Sequence, residues 1–269
     1  MIQKQKIHSD KGFRYRLKIS KTGELKFISH LDWQKLIYYS IRKSGLKINY
    51  SQGYNPAPKI SVGIALPLFI QGKNEYIDIE LQEEIADNII KEKLNSILPE
   101  NSQISDIVKI SKDKPSIEKE VCWAVYRAIP ENTEENTKIN IESIAKEFLL
   151  KQNILIDKQS KKGIKKVNIR PGVYSLHFDK DNNILEFTLK AGVGLINQPQ
   201  SVSSESTSED VSIKEIPSAP KEEEKLLMQE KVSVSSIRAD EFLKILTPEM
   251  DWRITREKLL DCNFNELIN

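Results

Sequence analysis

Histidine and cysteine are scarce in this sequence: its 269 residues include three of the first, His8, His30 and His177, and two of the second, Cys122 and Cys262. A four-thiolate site, a cysteine-ligated iron–sulfur cluster and a disulfide framework each need more cysteines than this. Three scattered histidines do not make a zinc centre. No cofactor is therefore expected in the chain itself, and no disulfide scaffold. Long apolar runs are missing too, since nothing approaches the roughly 18 consecutive apolar residues that span a bilayer. The opening stretch, MIQKQKIHSDKGF, is polar rather than signal-like. No membrane partner is expected, and the chain reads as cytoplasmic.

What is present suits a folded protein. Hydrophobic residues make up 39% and charged ones 30%, enough to bury a core and too mixed in sign for a disordered polyion. The length favours two compact units over one. A net charge of +2 hides an uneven distribution. Residues 1–60 carry thirteen Lys/Arg against three Asp/Glu, whereas 61–120 carry seven against twelve and 201–269 nine against fifteen. A basic N-terminal stretch points to an anionic partner, and the acidic C-terminal excess argues against indiscriminate polyanion binding.

The first clear pattern is Phe13-Arg14-Tyr15-Arg16-Leu17-Lys18-Ile19, apolar at odd positions and basic at even ones. That alternation predicts a strand with one buried face and a solvent face carrying Arg14, Arg16 and Lys18. Ser29-His30-Leu31-Asp32 then fits a helix start, with Ser29 as cap and Asp32 at the positive end of the dipole. Trp33, Leu36, Ile37, Ser40 and Ile41 recur at helical spacing, and Gly45 is a natural stop. Strands follow near 60–64 and 75–81, a helix across about 83–98 and a short strand near 103–110. The order β-α-β-β-α-β is that of the ferredoxin-like unit. The second half repeats it loosely, with strands near 121–127, 167–178 and 184–190 and helices near 141–149 and 240–246. Residues 197–235 are rich in Ser, Glu and Pro and read as a flexible insertion. The expected fold is α+β: two tandem ferredoxin-like (βαββαβ-type) units, 12–112 and 119–262, the second interrupted by the disordered linker 197–235.

Three groups of residues stand out for chemistry. His30, two residues before Asp32, is the sequence's acid–base pair, although the same residues also fit a helix N-terminus with no catalysis. The segment Tyr50-Ser51-Gln52-Gly53-Tyr54-Asn55-Pro56-Ala57-Pro58-Lys59 combines a permissive glycine with two stiffening prolines. In it Gln52 and Asn55 can read hydrogen-bonding edges, Tyr50 and Tyr54 can stack on bases, and Lys59 can neutralise a phosphate; a plain crossover between strands is the alternative. The run Lys158–Arg170 carries Lys161, Lys162, Lys165, Lys166 and Arg170. With Arg14, Arg16 and Arg42 it would form one cationic face if the two units turn toward each other, and RNA is the natural polyanion for such a face.

The blocks Phe27-Ile28-Ser29-His30-Leu31-Asp32, Tyr50 to Lys59, Leu66-Pro67-Leu68 and Glu75-Tyr76-Ile77-Asp78 together resemble the DUF2344 family. The stretches Lys161 to Pro171, Ser236-Ile237-Arg238 and Arg253-Ile254-Thr255-Arg256 are similar to further parts of its pattern. Members of that family are described as radical-SAM-associated proteins, found beside or fused behind a B12-binding radical SAM protein. The resemblance thus implies an accessory, non-catalytic chain whose partner would carry the iron–sulfur cluster, S-adenosylmethionine and cobalamin. Two departures matter: Ala57 stands where the pattern commonly has histidine, and Phe69 where it has glycine. A mechanism needing an imidazole at position 57 is therefore not expected. The alternatives are an RNA-processing or RNA-modifying enzyme, with His30 as general base and Lys59 or Arg170 stabilising charge, and a protein-interaction adaptor.

Overall fold

A computed structural model describes residues 12–131, 140–160, 163–192 and 236–268. The expected linker 197–235 lies outside the described residues, as do Lys161 and Lys162.

The alternating stretch forms β1 (Phe13–Lys21), and its Tyr15, Leu17 and Ile19 are fully buried. Ser29 caps α1 (His30–Lys43) by accepting a hydrogen bond from the Asp32 backbone N–H. Trp33, Ile37 and Ile41 turn inward from α1 against β1. After β2 (Ile60–Val62) and the long β3 (Gln71–Leu81) come α2 (Asp87–Asn95) and β4 (Ile104–Ile110). A one-turn α3 (Ile117–Glu120) leads into β5 (Trp123–Pro130) and α4 (Ile141–Leu150). The ribbon β6 (Leu155–Ser160) and β7 (Gly163–Asn168) stands apart as its own two-stranded sheet. Then follow β8 (Val173–Asp179), β9 (Ile184–Lys190), α5 (Ala239–Leu246) and β10 (Trp252–Leu260).

The main sheet runs β4-β1-β3-β10-β5-β9-β8, with β2 also pairing β3. The structure shows a mixed α+β fold on one continuous sheet, with no clean split into two tandem ferredoxin-like units. The element order recurs, since β4-β1-β3-β2 and β10-β5-β9-β8 are laid out alike. The halves nevertheless interlock. β3 gives its C-terminal half to β2 and its first two residues to β10, in a short parallel pairing of Gln71 with Thr255 and Gly72 with Arg256. Leu66, Ile70, Tyr76 and Ile117 precede β5 in the chain yet pack in the core of the second half.

One further expectation is corrected. The even face of β1 is not solvent-facing. Arg16 is fully buried, because α3 and the stretch after β10 cover that face: its guanidinium binds Asp78 at 2.7 Å and Glu120 at 2.7 Å, and donates to the Leu267 carbonyl. Burial lowers the Arg16 pKa, but bonds and charges from Asp78 and Glu120 outweigh it and hold the pKa above its ordinary value. Arg14 is turned the same way, toward Asp78 and the carbonyls of Ser111, Lys112, Lys114 and Pro115. Cys122 and Cys262 are disulfide-bonded, with Cα atoms 5.0 Å apart. A sequence separation of 140 does not keep them apart, because Trp123 pairs with Leu260 where β5 begins and β10 ends.

Candidate functional site

The segment after α1 closes on itself. Tyr50 bridges Pro58, the Ser51 N–H donates to the Ala57 carbonyl at 2.8 Å, and the Ala57 N–H donates to Ser51 Oγ at 2.9 Å. Gly53, with φ of 132°, sits in the left-handed region at the tip, where no neighbour crowds it. Tyr54 beside it is 98% exposed, and Gln52 and Asn55 are exposed too. An aromatic ring with no packing partner is an unusual thing to hold on a closed loop, since exposing it forfeits the burial that normally stabilises such a group. The loop is anchored to α1 through the hydroxyls of Tyr50 and Tyr38, 3.1 Å apart. The Arg42 guanidinium lies 5.8 Å from the Tyr38 ring centroid, and Tyr39, 60% exposed, leans against Tyr38. Tyr50, Tyr38, Tyr39 and the Arg42 guanidinium thus form one connected group at the base of the loop. Lys59 is less available, because its ammonium is bound to Glu80 at 2.9 Å.

The other basic residues go elsewhere. Arg16 is buried, and Arg14 is half-buried and held by Asp78 and backbone carbonyls. Lys165 and Lys166 are exposed on β7, and the ribbon is tied to the second half of the molecule through Lys158, which donates to the Ser236 carbonyl at 3.0 Å. Arg170 is half-buried. It donates to the carbonyls of Val173 and Leu149, the latter near the end of α4, and burial lowers its pKa. Its Nε is buried without a hydrogen-bond partner. Of the expected residues, Arg42 is linked through Tyr38 to Tyr50, and Gln52, Gly53, Tyr54 and Asn55 are exposed in the loop that Tyr50 opens.

His30 and Asp32 part company. Asp32 is exposed and accepts from Ser29 Oγ at 2.7 Å and Lys35 at 3.2 Å; the Ser29 bond first, then Lys35, pulls its pKa down. His30 turns to a different set of charges. Burial lowers its pKa first, and Lys21 and Arg256 lower it further. Its Nδ1 is buried with no hydrogen-bond partner. Lys21 is fully buried and donates to the Ile28 carbonyl at 3.0 Å; burial lowers its pKa too, against the pull of Glu75. Arg256 and Glu75 are each 1% exposed and form a two-pronged pair, with Nε to Oε1 at 2.8 Å and Nη2 to Oε2. Arg256 Nη2 also donates to the Ile64 carbonyl at 2.8 Å. Burial raises the pKa of the neighbouring Tyr126. This buried cluster at the junction of the two halves was missed as a site from sequence, although Arg256 closes the Arg-Ile-Thr-Arg stretch and His30 belongs to the Ser-His-Leu-Asp block. No spacing rule links residues 181 apart.

Among the described residues, no group of three or more His, Cys, Asp or Glu side chains could hold a metal ion. None of their helices is long and apolar enough to cross a membrane. The family model described as "Uncharacterized protein conserved in bacteria (DUF2344)" matches residues 14–203, more than two thirds of the chain. No curated protein matches it.

Proposed function

The chain belongs to the DUF2344 family, and on that premise we propose that it is a non-catalytic binding protein. In this reading it serves a radical SAM enzyme by holding an anionic partner, an RNA single strand or loop, on the surface formed by residues 50–58 and α1. The association with a B12-binding radical SAM protein follows from the resemblance set out above. The anionic partner is inferred from the basic composition of residues 1–60. Of these, Arg42 and Lys43 are exposed next to the loop's anchor on α1, while Arg14, Arg16 and Lys21 are turned inward. One observation carries the RNA reading: a closed, proline-stiffened loop presents Tyr54 98% exposed between Gln52 and Asn55, with Arg42 on the adjoining helix. A splayed-out base would stack on Tyr54, its edge would meet the two amides, and Arg42 would face the phosphates.

The test is fluorescence anisotropy with a labelled single-stranded RNA. Affinity is expected to fall steeply between low and moderate salt as phosphate-bound counterions are released. Tyr54→Ala is expected to weaken binding by about 1–3 kcal/mol, the usual worth of one stacked base. A salt-independent affinity, or an unchanged one in Tyr54→Ala, would remove the reading. The partner is tested separately, by co-purification of the tagged chain with the radical SAM protein encoded beside it.

One observation favours an enzymatic alternative: His30 is held neutral near pH 7 with an unpartnered Nδ1, the state a general base requires. Turnover of the bound RNA that disappears in His30→Gln while binding stays intact would favour that alternative.

A further inference from the structure

Three stretches that stand out in the sequence take no part in the loop surface, and they meet elsewhere. Pro67, the segment Ser236-Ile237-Arg238 and Arg256 border one cavity of about 230 Å3 between the two halves. We propose that this cavity binds a small organic acid: one carboxylate or phosphate headgroup on a short apolar body.

The charge comes first. Arg256 is 1% exposed at the cavity wall, and its orientation is fixed by Glu75 and the Ile64 carbonyl. Glu75 matches its charge, so Arg256 offers an anion a fixed guanidinium wall rather than a net charge, and the cationic bias of the lining comes from the residues that join it. Arg238, Lys158 and Lys190 join it from three separate parts of the chain, while Glu241 is the carboxylate of the lining. Arg238 is braced by both oxygens of Asp240, and Lys158 by the Ser236 carbonyl. These cations are positioned, not merely near. The backbone adds to them: α5 begins at the cavity wall, and its N-cap, Arg238, has no side-chain acceptor for the first-turn N–H groups.

Size and wall chemistry then narrow the ligand. Ile64, Ala191 and Ile237 supply an apolar side. The volume lies below the roughly 300–1,000 Å3 of pockets for drug-sized molecules. A nucleic-acid strand does not fit, so the site is distinct from the loop around Tyr54 and stands whether or not that loop binds RNA.

The experiment is an NMR titration of the full chain with inorganic phosphate and, separately, with acetate, at constant ionic strength kept with sodium chloride. Saturable shifts are expected for the amides of residues 237–241, together with a rise in Tm. The stronger response names the headgroup. Arg238→Gln, a change at an exposed side chain, is expected to weaken the apparent Kd at least tenfold. Ala65→Leu, which keeps every charge but narrows the cavity, is expected to weaken it comparably, and Tyr54→Ala to leave it unchanged. Shifts that rise without saturating, or a Kd unaffected by both Arg238→Gln and Ala65→Leu, would overturn the proposal.

Discussion

Arg16 and Arg42 carry the same side chain and meet opposite fates. Alternation along β1 identifies which residues face the core but says nothing of what covers the other side; Asp78, Glu120 and the Leu267 carbonyl draw Arg16 inward, whereas Arg42 lies exposed beside the Tyr38 ring. His30 shows the same dependence on distant partners, and its consequence is measurable. Burial, with Lys21 and Arg256, holds its pKa below the ordinary 6.5. As pH falls, the unfolded chain takes up the proton before the folded one does. Stability is therefore fully present above 6.5 and is lost as the pH drops below it. Urea midpoints followed from about pH 7 to about pH 5 should decline less in His30→Gln than in the parent chain. Parallel declines in the two proteins would show that this imidazole does not contribute.

Among the elements, those built from neighbours in sequence were readable in advance. Ser29 caps α1 as its spacing indicates, and Gly53, Pro56 and Pro58 mark the loop that exposes Tyr54. Elements whose identity depends on distant strands were not. The stretch from Trp252 to Leu260 becomes a strand by lying between β3 and β5, and the lysine-rich run splits into the β6–β7 ribbon and a half-buried Arg170. The loop between β2 and β3 holds a local misfit instead. Phe69 adopts φ of 70°, a left-handed conformation that a bulky residue rarely takes, with its N–H on the Lys26 carbonyl and its ring against Phe27. Its side chain is 67% exposed, so little burial offsets the cost. Phe69→Gly should accordingly be more stable than Phe69→Ala by about 1 kcal/mol in chemical denaturation, reversing the order seen at ordinary sites. Alanine equal to glycine there would mean that the loop relaxes the strain.

For the molecule as a whole, the disulfide and the central strand act on the same seam. Cys122–Cys262 closes a loop of 140 residues just where β5 begins and β10 ends. Reduction, or Cys122→Ser, is expected to lower stability by about 2–4 kcal/mol, read from denaturation with and without reductant. A midpoint indifferent to reductant would show that strand pairing alone holds the seam. The reading of α+β and of recurring element order survives at this scale, and the two halves share one sheet rather than splitting cleanly. Arg256 from β10 is neutralised by Glu75 from β3, so each half lacks something buried that the other supplies.

The placing of β10 bears on how the chain is made. β3 is complete by Leu81 and β5 by Pro130, but the strand that sits between them begins only at Trp252. At ribosomal speeds of roughly 5–20 residues per second, β5 waits on the order of 6–24 seconds for its neighbour and β3 on the order of 9–34 seconds. During that interval both present unsatisfied backbone to the cell, a ready template for the wrong partner. A nascent chain of this design is a natural client for chaperones that bind exposed strands during translation.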